Sequence, residues 1–183
     1  MNNDRIYIVL TNTGTIFSKV IKLYTKDPFT HVSLSLDNNL EHMYSFGRKH
    51  AYLPFPGGFV HENTKWGTFK RFKNTKSKII EFKVTNEQFE KIESLVGDIN
   101  NHKGEYKYDI LGTLLAALGK NHNRNHAYYC SSFVYHIMTE SGINLDFDEV
   151  VKPNDFASID GKTIFTGYLR EYDVKNNTII KNL

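Results

Sequence analysis

Apolar and polar positions alternate most strictly between Thr30 and Asp37. Val32, Leu34 and Leu36 fall on one side, and His31, Ser33 and Ser35 on the other. A period of two is that of a half-buried strand. Upstream, Arg5 to Thr11 (RIYIVLT) is a run of β-branched and aromatic residues and predicts a buried strand. Thr13-Gly14-Thr15 interrupts it. Ile16, Phe17, Val20, Ile21, Leu23 and Tyr24 then recur at helical spacing up to Lys26, and Pro28 marks a turn. After the alternating strand, Asn38-Asn39 predicts a hairpin turn. Leu40 to Phe46 should then pair back antiparallel, bringing Glu41 to Ser45 near His31. Gly47 to His61, with Pro54, Pro56 and Gly57-Gly58, predicts a long loop of the kind that often carries function.

Further along, Trp66 to Phe72 predicts a short strand and Lys78 to Val84 another. Thr85 is placed to cap a helix, with Gln88 in the reach-back position. Phe89, Ile92, Leu95, Val96 and Ile99 form that helix's apolar stripe. Tyr106 to Asp109 leads into a short apolar helix, Ile110 to Leu118, followed by a polar loop from Gly119 to Asn125. A last long helix is expected from about Tyr129 to Ser141, on the spacing of Phe133, Val134, Ile137 and Met138, ending at Gly142. Pro153-Asn154-Asp155-Phe156 reads as a turn opening a short helical piece. Thr163 to Tyr172 contains a final strand, and Lys175 to Leu183 is expected to fray. Strands and helices are interspersed without regular βαβ alternation. One α+β domain over residues 1–183 follows, with an antiparallel sheet packed against helices.

Composition and the apolar runs narrow this further. A 40% apolar share in 183 residues is enough for one real core. The net charge of +3 permits contact with anionic surfaces without requiring it. The single cysteine excludes an intrachain disulfide framework, and Met1 to Arg5 lacks the apolar region of a signal peptide; a cytoplasmic location is expected. The longest apolar stretch, Ile110 to Leu118, is about half of a membrane span, so no integral membrane segment is expected.

The lone cysteine is also where chemistry can sit. Cys130, in Tyr128-Tyr129-Cys130-Ser131-Ser132-Phe133, falls at the predicted start of a helix. Free backbone N–H groups and the positive end of the helix dipole there favour a thiolate and can hold an oxyanion. Such a nucleophile needs a base, which His31 offers, and a polar group to orient that base. Glu41, His42, Tyr44 and Ser45 are the candidates. Alternation puts Glu41 and Ser45 on one face and His42 and Tyr44 on the other, and leaves open which face meets His31. The plain alternative is a small buried hydrophobe and a structural histidine. His122, His126 and Cys130, at steps of four, would converge on a metal if helical. The Asn-rich middle argues for a loop instead, and no metal is expected. Gly112 to Asn121 lacks the glycine spacing and the hydroxyl of a phosphate loop. Arg48, Lys49 and His50 would bind an anionic substrate group if they face the site, while such a run is more often a solvated loop. Lys70, Arg71 and Lys73, interleaved with Phe69 and Phe72, read as an amphipathic edge rather than a nucleic-acid site.

The motifs YIVLT, the TGT-led helix, THVS, MYSFGR, GGFV, YCSSFV and KPNDF, in that order, cover most of the chain. The set resembles the circularly permuted papain-like hydrolases, relatives of the NlpC/P60 amidases that include YiiX/YaeF-like and lecithin:retinol acyltransferase-like proteins. In the permuted group the histidine strand precedes the cysteine helix, as it does here. The resemblance implies a permuted papain-like fold, Cys130 as nucleophile and His31 as general base. YiiX-like proteins typically carry a glutamate on the strand after the histidine. That position falls here on Tyr44 or Ser45, with Glu41 displaced. Tyr128 and Tyr129 would line the oxyanion and substrate site. The chemistry implied is acyl transfer through a thioester, without a cofactor, on a small-molecule, peptide or lipid substrate with an amide or ester bond. Two alternatives share the fold: a non-catalytic binding module, and a lipid acyltransferase whose apolar channel is lined by Phe55 to Val60 and Ile110 to Leu118.

Overall fold

In a computed structural model, which describes residues 4–49, 56–120 and 126–174, β1 (Arg5–Asn12) has an antiparallel partner on each side. These are β2 (His31–Ser35) and β5 (Lys76–Lys83). β3 (Met43–Arg48) and β4 (Gly57–Glu62) extend the sheet beyond β2, and β8 (Lys162–Tyr168) closes it beyond β5. The six strands run β4-β3-β2-β1-β5-β8, every pair antiparallel. Two further strands, β6 (Lys107–Tyr108) and β7 (Ala127–Tyr128), form a separate parallel pair. The domain is therefore α+β with an antiparallel sheet and several helices.

Alternation along the strands gives the sheet two buried faces. Ile6, Ile8, Leu10, Val32, Leu34, Phe46 and Phe59 point to one. Onto that face pack α3 (Asn86–Asn101) and α5 (Cys130–Glu140), through Phe89, Ile92, Val96, Phe133, Val134 and Ile137. Burying an aromatic or branched side chain is worth about 1.5–3 kcal/mol, so this layer dominates the fold. Tyr7, Val9, Met43 and Ile79 point the other way, onto Leu40, Phe69 and Leu169. The α3 start is as expected: the Thr85 hydroxyl accepts from the Gln88 N–H, and the Gln88 side chain accepts from the Thr85 N–H.

Three segments differ from the sequence reading. Of the loop expected over 47–61, Gly47 and Arg48 belong to β3 and residues 57–61 to β4, because Phe59 and Val60 pair with Phe46 and Ser45 of β3. Residues 67–71, expected as a strand, form the short helix α2 (Gly67–Arg71). Gly67 supplies a left-handed turn at φ +65°, and Phe69 alone of its residues is buried. The hairpin after β2 is wider than two residues. The Asp37 carboxylate accepts the N–H groups of Glu41 (3.0 Å) and His42 (2.7 Å), and β3 starts only at Met43. Helix α1 (Ile16–Thr25) forms where expected, opened by the Thr15 hydroxyl accepting from the Ser18 N–H. The expectations for Phe55, for the loop at 121–125 and for the tail at 175–183 lie outside the described residues.

Candidate active site

Three elements far apart in the chain meet beside β2. His31 is the first residue of that strand and pairs opposite Thr11 at the end of the β1–β2 ladder. Cys130 is the first residue of α5, which packs on β2 and β3. Glu62 is the last residue of β4. The parallel pair β6–β7 fixes the entry to α5: Asp109 N–H donates to the Tyr128 carbonyl (2.9 Å), and the chain turns into the helix at Tyr129. The Ser132 hydroxyl accepts from the Tyr129 N–H at 3.0 Å. The first N–H groups of any helix lack intrahelical partners, and Cys130 stands at that end of α5.

The His31 ring is held from both sides. Its Nε2 lies 3.1 and 3.2 Å from the two Glu62 carboxylate oxygens. The Ser33 hydroxyl donates to the same carboxylate and stands 3.3 Å from Nε2. With Nε2 committed to Glu62, Nδ1 is the nitrogen left for a further partner, and the Cys130 side chain is close enough to the ring to help raise its pKa. Burial alone would push the imidazole pKa down. The Glu62 carboxylate and the contacts with Cys130 and Glu62 outweigh it and raise it to about 10. The ring is a cation at neutral pH, next to Cys130, a residue only 6% exposed.

None of the four residues expected to orient His31 does so: His42 pairs with Asp37 instead, at 2.9 Å. Tyr44 is opposite Leu34, and its ring stacks on Phe59 (5.7 Å) and His61 (5.1 Å). Ser45 is buried and donates to the Val32 carbonyl at 2.8 Å. Glu41 is carried outward by the Asp37-capped turn and pairs with Lys65 at 3.0 Å. Glu62 takes the place expected of them. A signal for it exists in the sequence: Gly57-Gly58-Phe59-Val60-His61-Glu62 reads as a turn followed by strand-forming residues.

The remaining expected residues divide. Tyr128 turns into an aromatic cluster with Phe46 (5.3 Å), His136 (5.1 Å) and Phe133 (6.5 Å) rather than toward the sulfur. Tyr129 lines an apolar crevice against Cys130, and burial followed by nearby negative charge raises its phenol to about 12. Arg48 lines the Cys130 cleft, with Nη2 donating to the Thr15 hydroxyl at 3.3 Å. Burial lowers its pKa and the charges of Tyr108 and Glu62 oppose that. Tyr108, which the sequence reading passed over, lines the same cleft. Burial is the main cause that raises its phenol, so it stays a neutral donor at physiological pH. Gly57 makes room for it: a Cβ there would stand 2.2 Å from the Tyr108 ring.

Among the described residues no group of three or more His, Cys, Asp or Glu side chains is arranged to hold a metal ion. His122 of the weighed metal set lies outside them, as does His50 of the basic run. No helix among them is long and apolar enough to cross a membrane. Comparison of the chain with protein-family models, with curated proteins and with solved structures gives no match.

Proposed function

We propose that the protein is a cysteine hydrolase of the permuted papain-like type, cleaving an amide or ester bond through a thioester on Cys130. One observation carries the reading. Cys130, at the N-terminus of α5, lines one cleft with a part-buried imidazole that the Glu62 carboxylate holds in place. The positive ring and the helix N-terminus both stabilise negative charge on the sulfur.

Cys130 Sγ attacks the substrate carbonyl carbon, and the carbonyl electron pair moves onto oxygen. The Cys130 N–H and the neutral Tyr108 phenol are the donors for that oxyanion. As the tetrahedral species collapses, His31 gives its proton to the departing amine or alcohol and the thioester remains. Water then loses a proton to His31 and attacks the thioester, which releases the acid and restores the pair. Glu62 touches no reacting atom. It is a positioning residue that fixes the ring and its charge.

The test is alkylation of Cys130 by iodoacetamide at about pH 6, where an unassisted thiol is almost wholly protonated. Replacing His31 by Ala should slow the reaction at least about tenfold, and p-nitrophenyl acetate should acylate the wild type with a burst of about one equivalent of nitrophenol. Alkylation that ignores His31, together with no burst, rules the hydrolase out and favours a binding module on the same fold.

A further inference from the structure

The cleft at Cys130 is narrow. Its volume of about 50 Å³ holds little more than a water or two. A groove of about 540 Å³ adjoins it and shares Arg48, Glu62, Thr68 and Phe69 with it. A scissile bond placed in the first space puts the adjoining part of a substrate within reach of the second.

That groove is strongly one-signed. Arg48, Lys49, Lys70 and Arg71 line it from the end of β3 and from α2. The only carboxylate among its described lining residues is Glu62, which already binds His31 and Ser33. Lys49 and Lys70 form no ion pair with a described residue. Trp66, 48% exposed, stands at the rim, held edge-on by His61 at 5.7 Å. Like charges gathered along one wall repel one another and raise the local concentration of anions. Lys49 and Lys70 keep part of that repulsion uncompensated. A multiply charged anion relieves it, and arginine and lysine together are the usual partners of phosphate oxygens.

Resting on the hydrolase reading above, we infer that this groove binds a phosphate-bearing part of the substrate, so that the bond cut at Cys130 is the amide or ester of a phosphorylated molecule. Arg48 stands between the two spaces and contacts the anion at the end nearest the sulfur. At about 540 Å³ the groove matches a compact molecule or a lipid headgroup.

The test is calorimetric titration of the full-length protein with inorganic pyrophosphate at about 0.15 M salt, where weak surface attraction is screened. A sub-millimolar Kd is expected, weakened about tenfold or more in Lys49→Gln/Lys70→Gln. That double variant leaves Cys130, His31 and Glu62 untouched, and its denaturation midpoint reports whether it folds normally. No binding by the wild type, or equal binding by a normally folded double variant, overturns the inference. So does a single-stranded oligonucleotide that binds more tightly than pyrophosphate, with affinity rising with length. Phosphatidate vesicles that bind and are displaced by pyrophosphate assign the phosphate to a headgroup. Vesicles that do not bind assign it to a soluble molecule. Repeating the titration on Cys130→Ala separates the two readings, because pyrophosphate binding needs no thiol chemistry.

Discussion

Exchanging Glu62 for Gln removes one charge at nearly constant shape. The new amide oxygen can still accept from the His31 ring, and its NH₂ can donate to the Ser33 hydroxyl. What disappears is the carboxylate that keeps the ring protonated. In the wild type the His31 pKa is raised from 6.5 to about 10. At ~1.4 kcal/mol per unit that corresponds to roughly 5 kcal/mol of preference for the charged ring. Breaking a buried pair by removing one partner costs about 3–5 kcal/mol. The lower end applies here, because hydrogen bonds survive and the ring can neutralise. A raised histidine pKa stabilises the fold fully below about pH 6.5. The contribution then falls by ~1.4 kcal/mol per pH unit and is gone once pH passes the folded value near 10. Glu62→Gln should therefore cost ~3 kcal/mol near pH 6, less near pH 8, and almost nothing above pH 10. Urea unfolding of both proteins at these pH values reads the difference directly, and the His31 Cε1–H resonance reports the ring itself. A wild-type ring that titrates near 6.5, or a stability difference that does not change with pH, refutes the reasoning.

Gly57→Ala drives a methyl into the Tyr108 ring and should cost about 1–3 kcal/mol as overpacking, slowing Cys130 alkylation as the cleft distorts; thermal unfolding and alkylation kinetics check both. Tyr44→Phe keeps the stacking on Phe59 and His61, so Cys130 alkylation should match the wild type; a drop approaching that of His31→Ala would return Tyr44 to the site. Phe133→Ala removes the ring that packs on Phe46 and Phe59 and ties α5 to the sheet. It should cost about 3–5 kcal/mol in urea unfolding.

Where a single element carries its own signal, the sequence is readable. The period-two strand at His31 and the capped stripe from Thr85 to Ile99 stand where their patterns put them. The start of α5 was legible because the apolar spacing of Phe133, Val134 and Ile137 points back to Cys130. Register was not legible. Whether Glu41, Tyr44 or Ser45 meets His31 depends on how many residues the turn after β2 consumes, and the Asp37 side chain decides that by capping two N–H groups. Glu62 was hidden for a different reason. Glycines and prolines over 47–58 mask a strand whose partner lies on β3, so β4 exists through pairing rather than propensity. At 67–71 the interleaved lysines and phenylalanines suggested alternation, while Phe69 and Phe72, three apart, also fit the helix that forms.

The sheet order has a consequence for how the chain comes into being. β1 to β4 are consecutive neighbours, so His31 and Glu62 belong to a meander that the N-terminal part of the chain can build from adjacent strands. Cys130 arrives only with α5, after β5 and α3 have been made. During synthesis the imidazole and its carboxylate partner emerge well before the only sulfhydryl of the sequence. On the reading proposed above, the thiol meets its base only when α5 docks on the sheet.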